Sequence, residues 1–242
     1  MSSRGSRRSE LCTFVGDEQS PIGAVLLILA AHNVVQNSIL NEEGYVPGNV
    51  VVATILTGLA RDAGLAWEEI GLGRGDLRGS RRLGAWVLTA SAAFLFVASR
   101  LPWLRHHLRD ERAPVLSRGE TTRRALIRFP LGTALFEEVA FRGVLPALFA
   151  NEARSGDLAA AGMFAVWHLI PTHHALRVNG IAQGPSSRIV GTLVGSAAAG
   201  LAGYVLSRIR RKTGSILSPW LIHSAVNTTS YLAVTCAHND GT

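Results

Sequence analysis

The sequence predicts an all-α membrane protein, a polytopic transmembrane helical bundle of about seven spans, with eight as the alternative count. Only 17% of its 242 residues are charged and 48% are hydrophobic, whereas a soluble domain usually carries about 25% charged residues. Seven apolar stretches follow one another, and most approach the roughly 20 residues that a spanning helix needs. They lie at about residues 22–40, 46–60, 83–99, 129–150, 158–176, 188–207 and 215–235.

The first apolar stretch is interpreted as a membrane helix rather than as a signal peptide. Arginines precede it, but acidic residues intervene, and the apolar run continues to span length. We therefore predict a cytoplasmic N-terminal tail at residues 1–21, one transmembrane bundle at 22–235 and a C-terminal tail at 236–242.

The net charge of +7 is explained by membrane topology, with the lipid bilayer rather than nucleic acid as the partner. If the N-terminus is inside, the basic loops 61–82 and 208–214 are inside and the acidic loop 41–45 is outside, as the positive-inside rule requires. The arginine-rich segment 100–128 disagrees, because simple alternation places it outside. Arginine strongly outnumbers lysine, which is typical of a GC-rich genome and favours a bacterial plasma membrane.

Three charged residues interrupt the fourth apolar stretch, which reads LGTALFEEVAFRGVLPALFA. Each charge at the centre of a membrane helix costs roughly 2.5–3.5 kcal/mol, so these side chains must face the bundle interior. Glu138 and Arg142 are four residues apart in the favourable order and can form an ion pair. Glu137 points about 100° away around the helix, which makes it the better candidate for a general base. The alternative is one buried ion cluster without chemistry.

Two later stretches carry histidines at mid-depth. His168 lies near the middle of 158–176, and His223 and Asn227 lie four residues apart on one face of 215–235. A carboxylate and an imidazole can hold a water molecule and remove its proton. A second imidazole and an amide can donate hydrogen bonds to an oxyanion. Together these groups are the parts of a peptidase that uses water as its nucleophile.

A zinc site is the alternative use of the same side chains, because two histidines and a glutamate are a known zinc ligand set. Its ligands would be Glu137, His168 and His223. No HExxH motif strengthens this interpretation, and the two cysteines form no CxxC pair.

The residues resemble a known family at this point. FEEVAFRG resembles the EExxxR motif, FAVWH the FxxxH motif and HSAVN the HxxxN motif of the CPBP family, also called Abi. This family comprises type II CAAX prenyl endopeptidases and bacterial relatives connected with bacteriocin processing or immunity. The three motifs occur in the family order, and the resemblance covers about residues 80–235.

The resemblance implies an intramembrane endopeptidase that acts on a membrane-associated peptide or protein. Glu137 and His168 would activate the water, and His223 and Asn227 would stabilise the oxyanion. Glu138 and Arg142 match the remaining motif positions. The family mechanism is glutamate-dependent and can operate without metal, so no cofactor is required, although zinc is compatible with the residues.

Two other functions remain open from the residues alone. A proton-coupled transporter could use the buried carboxylates and histidines as an ion pathway, although no inverted repeat is visible. A non-proteolytic membrane scaffold or immunity protein would keep the ion pair but would have no use for Glu137 opposite His168.

Further polar and small residues in the spans are predicted to connect helices. The first stretch carries His32, Asn33, Gln36 and Asn37, which we interpret as interhelical hydrogen-bonding residues, with cavity lining as the alternative. The sixth carries a stripe of small residues that predicts close helix packing, and it consists of Gly191, Gly195, Ala199 and Gly203.

Overall fold

A computed structural model describes residues 21–101, 110, 116–149 and 153–239. The predicted tail at 1–21 therefore lies outside the described residues except for Pro21, as do residues 240–242 of the C-terminal tail. The described chain is all helical, and no strand occurs in it. This confirms the all-α class.

Helices occupy all seven predicted stretches. Three helices come first among the described residues, namely α1 (Pro21–Ser38), α2 (Glu42–Asp62) and α3 (Leu77–Arg100). A continuous run then follows, which we name the composite helix; it consists of α4 (Arg118–Arg123), π1 (Arg124–Ala134), α5 (Leu135–Glu138), π2 (Val139–Val144) and α6 (Leu145–Leu148). The last four helices are α7 (Ala153–Trp167), α8 (Leu169–Val178), α9 (Pro185–Thr213) and α10 (Leu217–Asn239).

Local sequence signals explain where several of these helices begin and end. The side chains of Asn41, Asp76 and Ser117 accept hydrogen bonds from backbone N–H groups in the first turns of α2, α3 and α4, as helix N-caps do. Gly214 ends α9 with φ of 68°, a left-handed conformation that glycine adopts without a Cβ clash.

The fifth stretch differs from the prediction of one span, because the helix breaks at His168. The break separates α7 from α8, and Pro171 lies in the first turn after it. Since proline lacks the N–H that would bond to the carbonyl four residues earlier, a continuous α-helix through this point would lack one hydrogen bond. The break places His168 at a turn between two helices.

The exposed surface is apolar and part of the interior is polar, the reverse of a soluble protein. Trp86, Phe94, Val194 and Leu201 are at least 60% exposed, whereas buried positions include charged side chains of the composite helix. Large exposed apolar surfaces of this kind mark contact with a membrane or partner. By length and composition, three of the described helical stretches are able to cross a membrane: Pro21–Ser38, Leu77–Ala98 and Pro185–Thr213.

Contacts between helix ends place the start of the composite helix beside the start of α2, and the start of α3 beside the end of α9. At one end, Arg124 and Arg128 reach Glu42 at 3.1 Å. At the other end, the N–H of Asp76 donates to the carbonyl of Thr213 at 2.8 Å. The described part of the basic segment 100–128 therefore lies at the same end as the acidic loop 41–45, as simple alternation predicts.

The composite helix lies in the middle of the bundle. It contacts α2 and α10 along π1, and α7 and α9 along π2. Residues 136–146 are all buried, so the three charged residues of the fourth stretch are enclosed by protein. Runs with hydrogen bonds from residue i to i+5, as in π1 and π2, are rare and occur frequently at functional sites.

Candidate active site

The charged residues of the composite helix meet His223 of α10 inside the bundle. Glu137 and Glu138 end α5, and Arg142 lies in π2. Their residue exposures are 5%, 0% and 1%. The structure thus brings four of the six predicted site residues into one cluster.

The predicted ion pair of Glu138 and Arg142 is present but is not the closest contact of Glu138. Arg142 Nη1 lies 3.3 Å from Glu138 Oε1, while His223 Nδ1 donates to the same oxygen at 2.7 Å. The Arg142 guanidinium also lies over the Phe164 ring, 4.0 Å from its centroid, a favourable cation–π contact. Glu138 therefore orients His223 as well as pairing with Arg142, which the spacing of the two charges does not indicate.

Glu137 does not share the arginine, as the helical angle predicts. Its Oε1 accepts a hydrogen bond from Trp167 Nε1 at 3.1 Å. Its Oε2 lies 3.7 Å from His223 Nε2 and has no hydrogen-bond partner among the described residues. Since an ionised carboxylate only accepts hydrogen bonds, Oε2 is the oxygen that remains available to take a proton.

His168 lies beside this cluster at the break between α7 and α8. Its Nδ1–H donates to the Phe164 carbonyl at 2.9 Å, so Nε2 is the nitrogen left for another contact. The Phe164 ring lies between the two histidines, 4.3 Å from the ring of His168 and 6.5 Å from that of His223. Phe164 thus links His168 to the charged cluster.

Asn227 lies one turn beyond His223 on α10 and is half-buried. The four-residue spacing places both side chains on one face of the helix, as predicted. A groove of about 660 Å³ between α3, α8 and α10 lies along a neighbouring face of α10, lined by Phe94, Val226 and Ala233 among others.

The zinc alternative finds no preformed metal site among the described residues. In that part of the chain, no group of three His, Cys, Asp or Glu side chains has an arrangement that could hold a metal ion. His168 uses Nδ1 to bind the Phe164 carbonyl, an arrangement that metal-ligating histidines share, and the two nitrogens of His223 face two different carboxylates.

Two aromatic residues of α7 belong to the site although their chemistry does not single them out in the sequence. Trp167 binds Glu137, and Phe164 contacts Arg142, His168 and His223. The sequence signal that could have found them is their position, since both residues fall within the FAVWH motif. An indole N–H at mid-depth also needs an acceptor when it is buried.

The small residues of α9 make room for the cluster. A Cβ added to Gly203 would lie 2.9 Å from Phe164 Cδ1 and 3.0 Å from Arg142 Nη2. One Cβ on Gly195 would lie 2.7 Å from Thr172 Cγ2 on α8. The predicted close packing of this stripe is confirmed at both glycines, and Gly203 provides space for the arginine.

Comparison with known proteins finds a family match in the region of the chain that contains the predicted site residues. Residues 121–229 match the model of a family described as type II CAAX prenyl endopeptidase Rce1-like. No curated protein and no solved structure matches the chain. The matched region contains all six predicted site residues. The family is one of membrane proteases, which supports hydrolase chemistry in general, and with the apolar exposed helices it identifies a membrane protein. Over residues 121–229, the chain is similar to the Rce1-like type II CAAX prenyl endopeptidase family.

Proposed function

We propose that the chain is a glutamate-dependent intramembrane endopeptidase that hydrolyses a peptide bond in a membrane-associated peptide or protein. The observation that carries the proposal is the asymmetry of the Glu137 carboxylate. One oxygen is bound by an indole, and the other has no partner in the described protein and lies beside His223 Nε2. A buried carboxylate with one oxygen held and one free is suited to accept a proton from water.

The proposed reaction begins with a water molecule at Glu137 Oε2. Glu137 takes one proton, and the water oxygen attacks the carbonyl carbon of the peptide bond. The carbon–nitrogen bond then breaks, and the proton held by Glu137 passes to the leaving amine. His168 Nε2, which its Nδ1 contact leaves available, provides the second contact to the water.

Oxyanion stabilisation is assigned to Asn227 and His223. The amide of Asn227 donates N–H to the developing charge, as donors in an oxyanion hole do. The bond from Nδ1 of His223 to Glu138 fixes the ring, so that Nε2 faces the space beside Glu137. In the neutral ring Nε2 carries a lone pair and donates no hydrogen bond. In the protonated ring Nε2 carries an N–H, and this form can donate to the oxyanion.

The membrane arrangement proposed for this enzyme has seven spans in a bacterial plasma membrane. All seven apolar stretches contain helix and helix ends make contact at two ends of the bundle, which supports this count. The amino end is proposed inside and the carboxyl end outside. Reporter fusions at Ala113 and Thr242 should both report outside, and an inside signal at Ala113 would show that the alternation is wrong.

The proposal is tested by proteolysis in lipid nanodiscs. Purified protein is mixed with a panel of peptides that carry an apolar membrane anchor. Glu137→Gln keeps the shape of the side chain but cannot take the proton, so it should insert and fold normally and lose cleavage. Asn227→Ala should lower the rate about 10²–10³-fold, because it removes one donor only.

Two further results would decide the mechanism. A chelator should change the rate little if Glu137 and His168 activate the water unaided. Full cleavage by folded Glu137→Gln protein would exclude Glu137 as the general base and with it the reaction described here.

A further inference from the structure

A chain of hydrogen bonds connects the first helix of the protein to the Glu137 carboxylate. We propose that Asn33 of α1 and Trp167 of α7 are positioning residues that hold Glu137 in the geometry needed for catalysis. We name this chain, Asn37–Asn33–Trp167–Glu137, the positioning relay. The inference rests on the proposed function, because it explains how the general base of that reaction is held.

The contact between Trp167 and Glu137 fixes which carboxylate oxygen reacts. The indole Nε1–H can only donate, and it donates to Oε1 at 3.1 Å between two buried side chains. With Oε1 occupied, Oε2 is directed toward His223 Nε2. A rotation of the carboxylate would break the indole bond and leave a buried donor without an acceptor, which is unfavourable.

Aromatic packing holds the indole ring in place. The ring centroid of Trp167 lies 5.3 Å from that of Phe136, 5.5 Å from that of Phe141 and 6.3 Å from that of His32. His32 is itself fixed by a 2.9 Å hydrogen bond to the buried side chain of Asn49. The ring therefore has neighbours on the composite helix and α1, and it cannot turn away from Glu137 without displacing them.

The backbone of Trp167 is held by α1. In a continuous helix its carbonyl would accept from the N–H of residue 171, which is proline and has none. Asn33 Nδ2 donates to this carbonyl instead, at 3.2 Å. The side chain of α1 thus replaces the hydrogen bond that Pro171 removes, at the turn where His168 lies.

The orientation of the Asn33 amide is set by its own helix. Asn37 Nδ2 donates to Asn33 Oδ1 at 2.7 Å and to the Asn33 carbonyl at 2.8 Å. Because the amide oxygen is engaged, the N–H₂ group points toward α7. The predicted interhelical role of Asn33 and His32 is confirmed, and Asn37 supports it from within α1.

The relay reaches beyond the part of the chain that matches the family. Asn33 lies outside residues 121–229, yet through Trp167 it touches both the base and the turn that carries His168. We infer that the matched region depends on α1 for its active geometry. A displacement of α1 would displace Trp167 and, through it, Glu137. Misplacement of a catalytic group by about 1 Å can cost about 10²-fold in rate.

The relay can be tested without a substrate, by NMR of the indole N–H groups of full-length protein in nanodiscs. The chain has five tryptophans. Trp167→Phe and Trp220→Phe each remove one indole signal and so assign it. Trp220 is the matched control, because its Nε1 donates to the Pro130 carbonyl at 2.8 Å and not to the site.

The expected result is a selective shift of the Trp167 signal. Glu137→Gln removes the charge from its acceptor, and Asn33→Ala removes the donor that holds its backbone, so both should move this signal and leave that of Trp220 unchanged. Asn33→Asp keeps the shape of the side chain without the N–H₂ group, and it should act as Asn33→Ala does. An unmoved Trp167 signal in these variants would overturn the relay.

Activity provides the second readout. With a quenched-fluorescence peptide that the wild type cleaves, Trp167→Phe and Asn33→Asp should lower kcat about 10–10²-fold with little change in KM, because the base is misplaced while the substrate site remains. Trp220→Phe should cleave as the wild type does. Unchanged kcat in Trp167→Phe would contradict the relay.

The two proposals can fail separately. If the wild type cleaves no peptide while the indole shifts occur as expected, the proposed function fails and the relay stands as a structural link. If the wild type cleaves and Glu137→Gln does not, but the Trp167 signal is unmoved in every variant, the proposed function stands and the relay fails.

Discussion

Two groups of acidic and basic side chains involve the composite helix, one near its exposed start and one in its buried middle. Near the start, Glu42 of α2 pairs with Arg124 at 3.1 Å, and the two side chains are 42% and 15% exposed. In the middle, Glu138 pairs with Arg142 at a similar 3.3 Å, and their exposures are 0% and 1%. Similar distances thus occur in very different surroundings.

The comparison teaches that surroundings, rather than distance, decide what a charge pair does. In the exposed group, water and salt screen the charges, and removal of one partner leaves the other as a solvated ion. In the buried group, the remaining ion has neither water nor partner. The exposed group is suited to anchoring loops at one end of the bundle, and the buried group is suited to fixing side chains in one geometry.

The largest expected effect is the loss of one member of the buried group. Arg142→Ala and Glu138→Ala should each lower the free energy of unfolding by about 3–5 kcal/mol. Glu138→Ala should be the more severe, because it also leaves His223 Nδ1 without its acceptor. The measurement is chemical unfolding in detergent micelles.

The double variant sharpens this test. Because it removes both charges of the pair, it should recover part of the loss, although His223 still lacks its acceptor. Strictly additive losses would mean that the two residues do not interact.

A smaller effect is expected when the arginine is crowded rather than removed. Gly203→Ala introduces a Cβ against Phe164 and Arg142 and should cost about 1–3 kcal/mol, as overpacking does. Gly162→Ala of α7 is the matched control, since a Cβ there meets nothing within 4 Å. It should be neutral or stabilise by up to about 1 kcal/mol, because alanine favours the helix. Equal effects of the two changes would contradict crowding at Gly203.

The exposed group should contribute little. Arg124→Ala should change the free energy of unfolding by about 0–1 kcal/mol, and the change should diminish at high salt. If Arg124→Ala destabilised the protein as much as Arg142→Ala at equal salt concentration, the contrast between the two groups would be wrong.

The smallest expected effect is a change in the pKa of Glu120. This residue belongs to the exposed group through Arg123, which contacts both Glu120 and Glu42. Side-chain hydrogen bonds from Arg123 and, to a smaller extent, from Arg124 lower the pKa of Glu120 to about 2. A lowered carboxyl pKa stabilises the folded state above the usual carboxyl pKa, and the contribution is lost as pH falls toward about 2. NMR titration should show this pKa rising toward the usual range in Arg123→Gln and changing little in Arg118→Gln. An unchanged midpoint in Arg123→Gln would contradict the assignment to Arg123.

Much of the fold could be predicted because the bilayer imposes it on composition. The apolar stretches predicted where helices occur, since a chain in lipid must satisfy its backbone hydrogen bonds internally. The break at His168 was not predicted, although Pro171 indicates it. Proline is tolerated in membrane helices when another group bonds to the freed carbonyl, and here that group is Asn33, which is 134 residues distant from Trp167.

The site was predicted in its members and less completely in its contacts. The pairing of Glu138 with Arg142 follows from their spacing on one helix. The contact of Glu138 with His223 could not be predicted from spacing, because it joins residues that are 85 positions apart. Trp167 was missed because an indole N–H has no conspicuous chemistry until its acceptor is known. The assigned catalytic roles stay predictions until activity is measured.

The distance in sequence between Glu138 and His223 also bears on how the protein is made. During synthesis from the amino end, the composite helix leaves the ribosome before α10 has been translated. Its charges must therefore enter the bilayer, or wait beside it, without the imidazole that later binds Glu138. We expect nascent chains stalled before residue 217 to keep this helix in contact with the insertion machinery, as site-specific crosslinking would show, and to release it only when α10 follows.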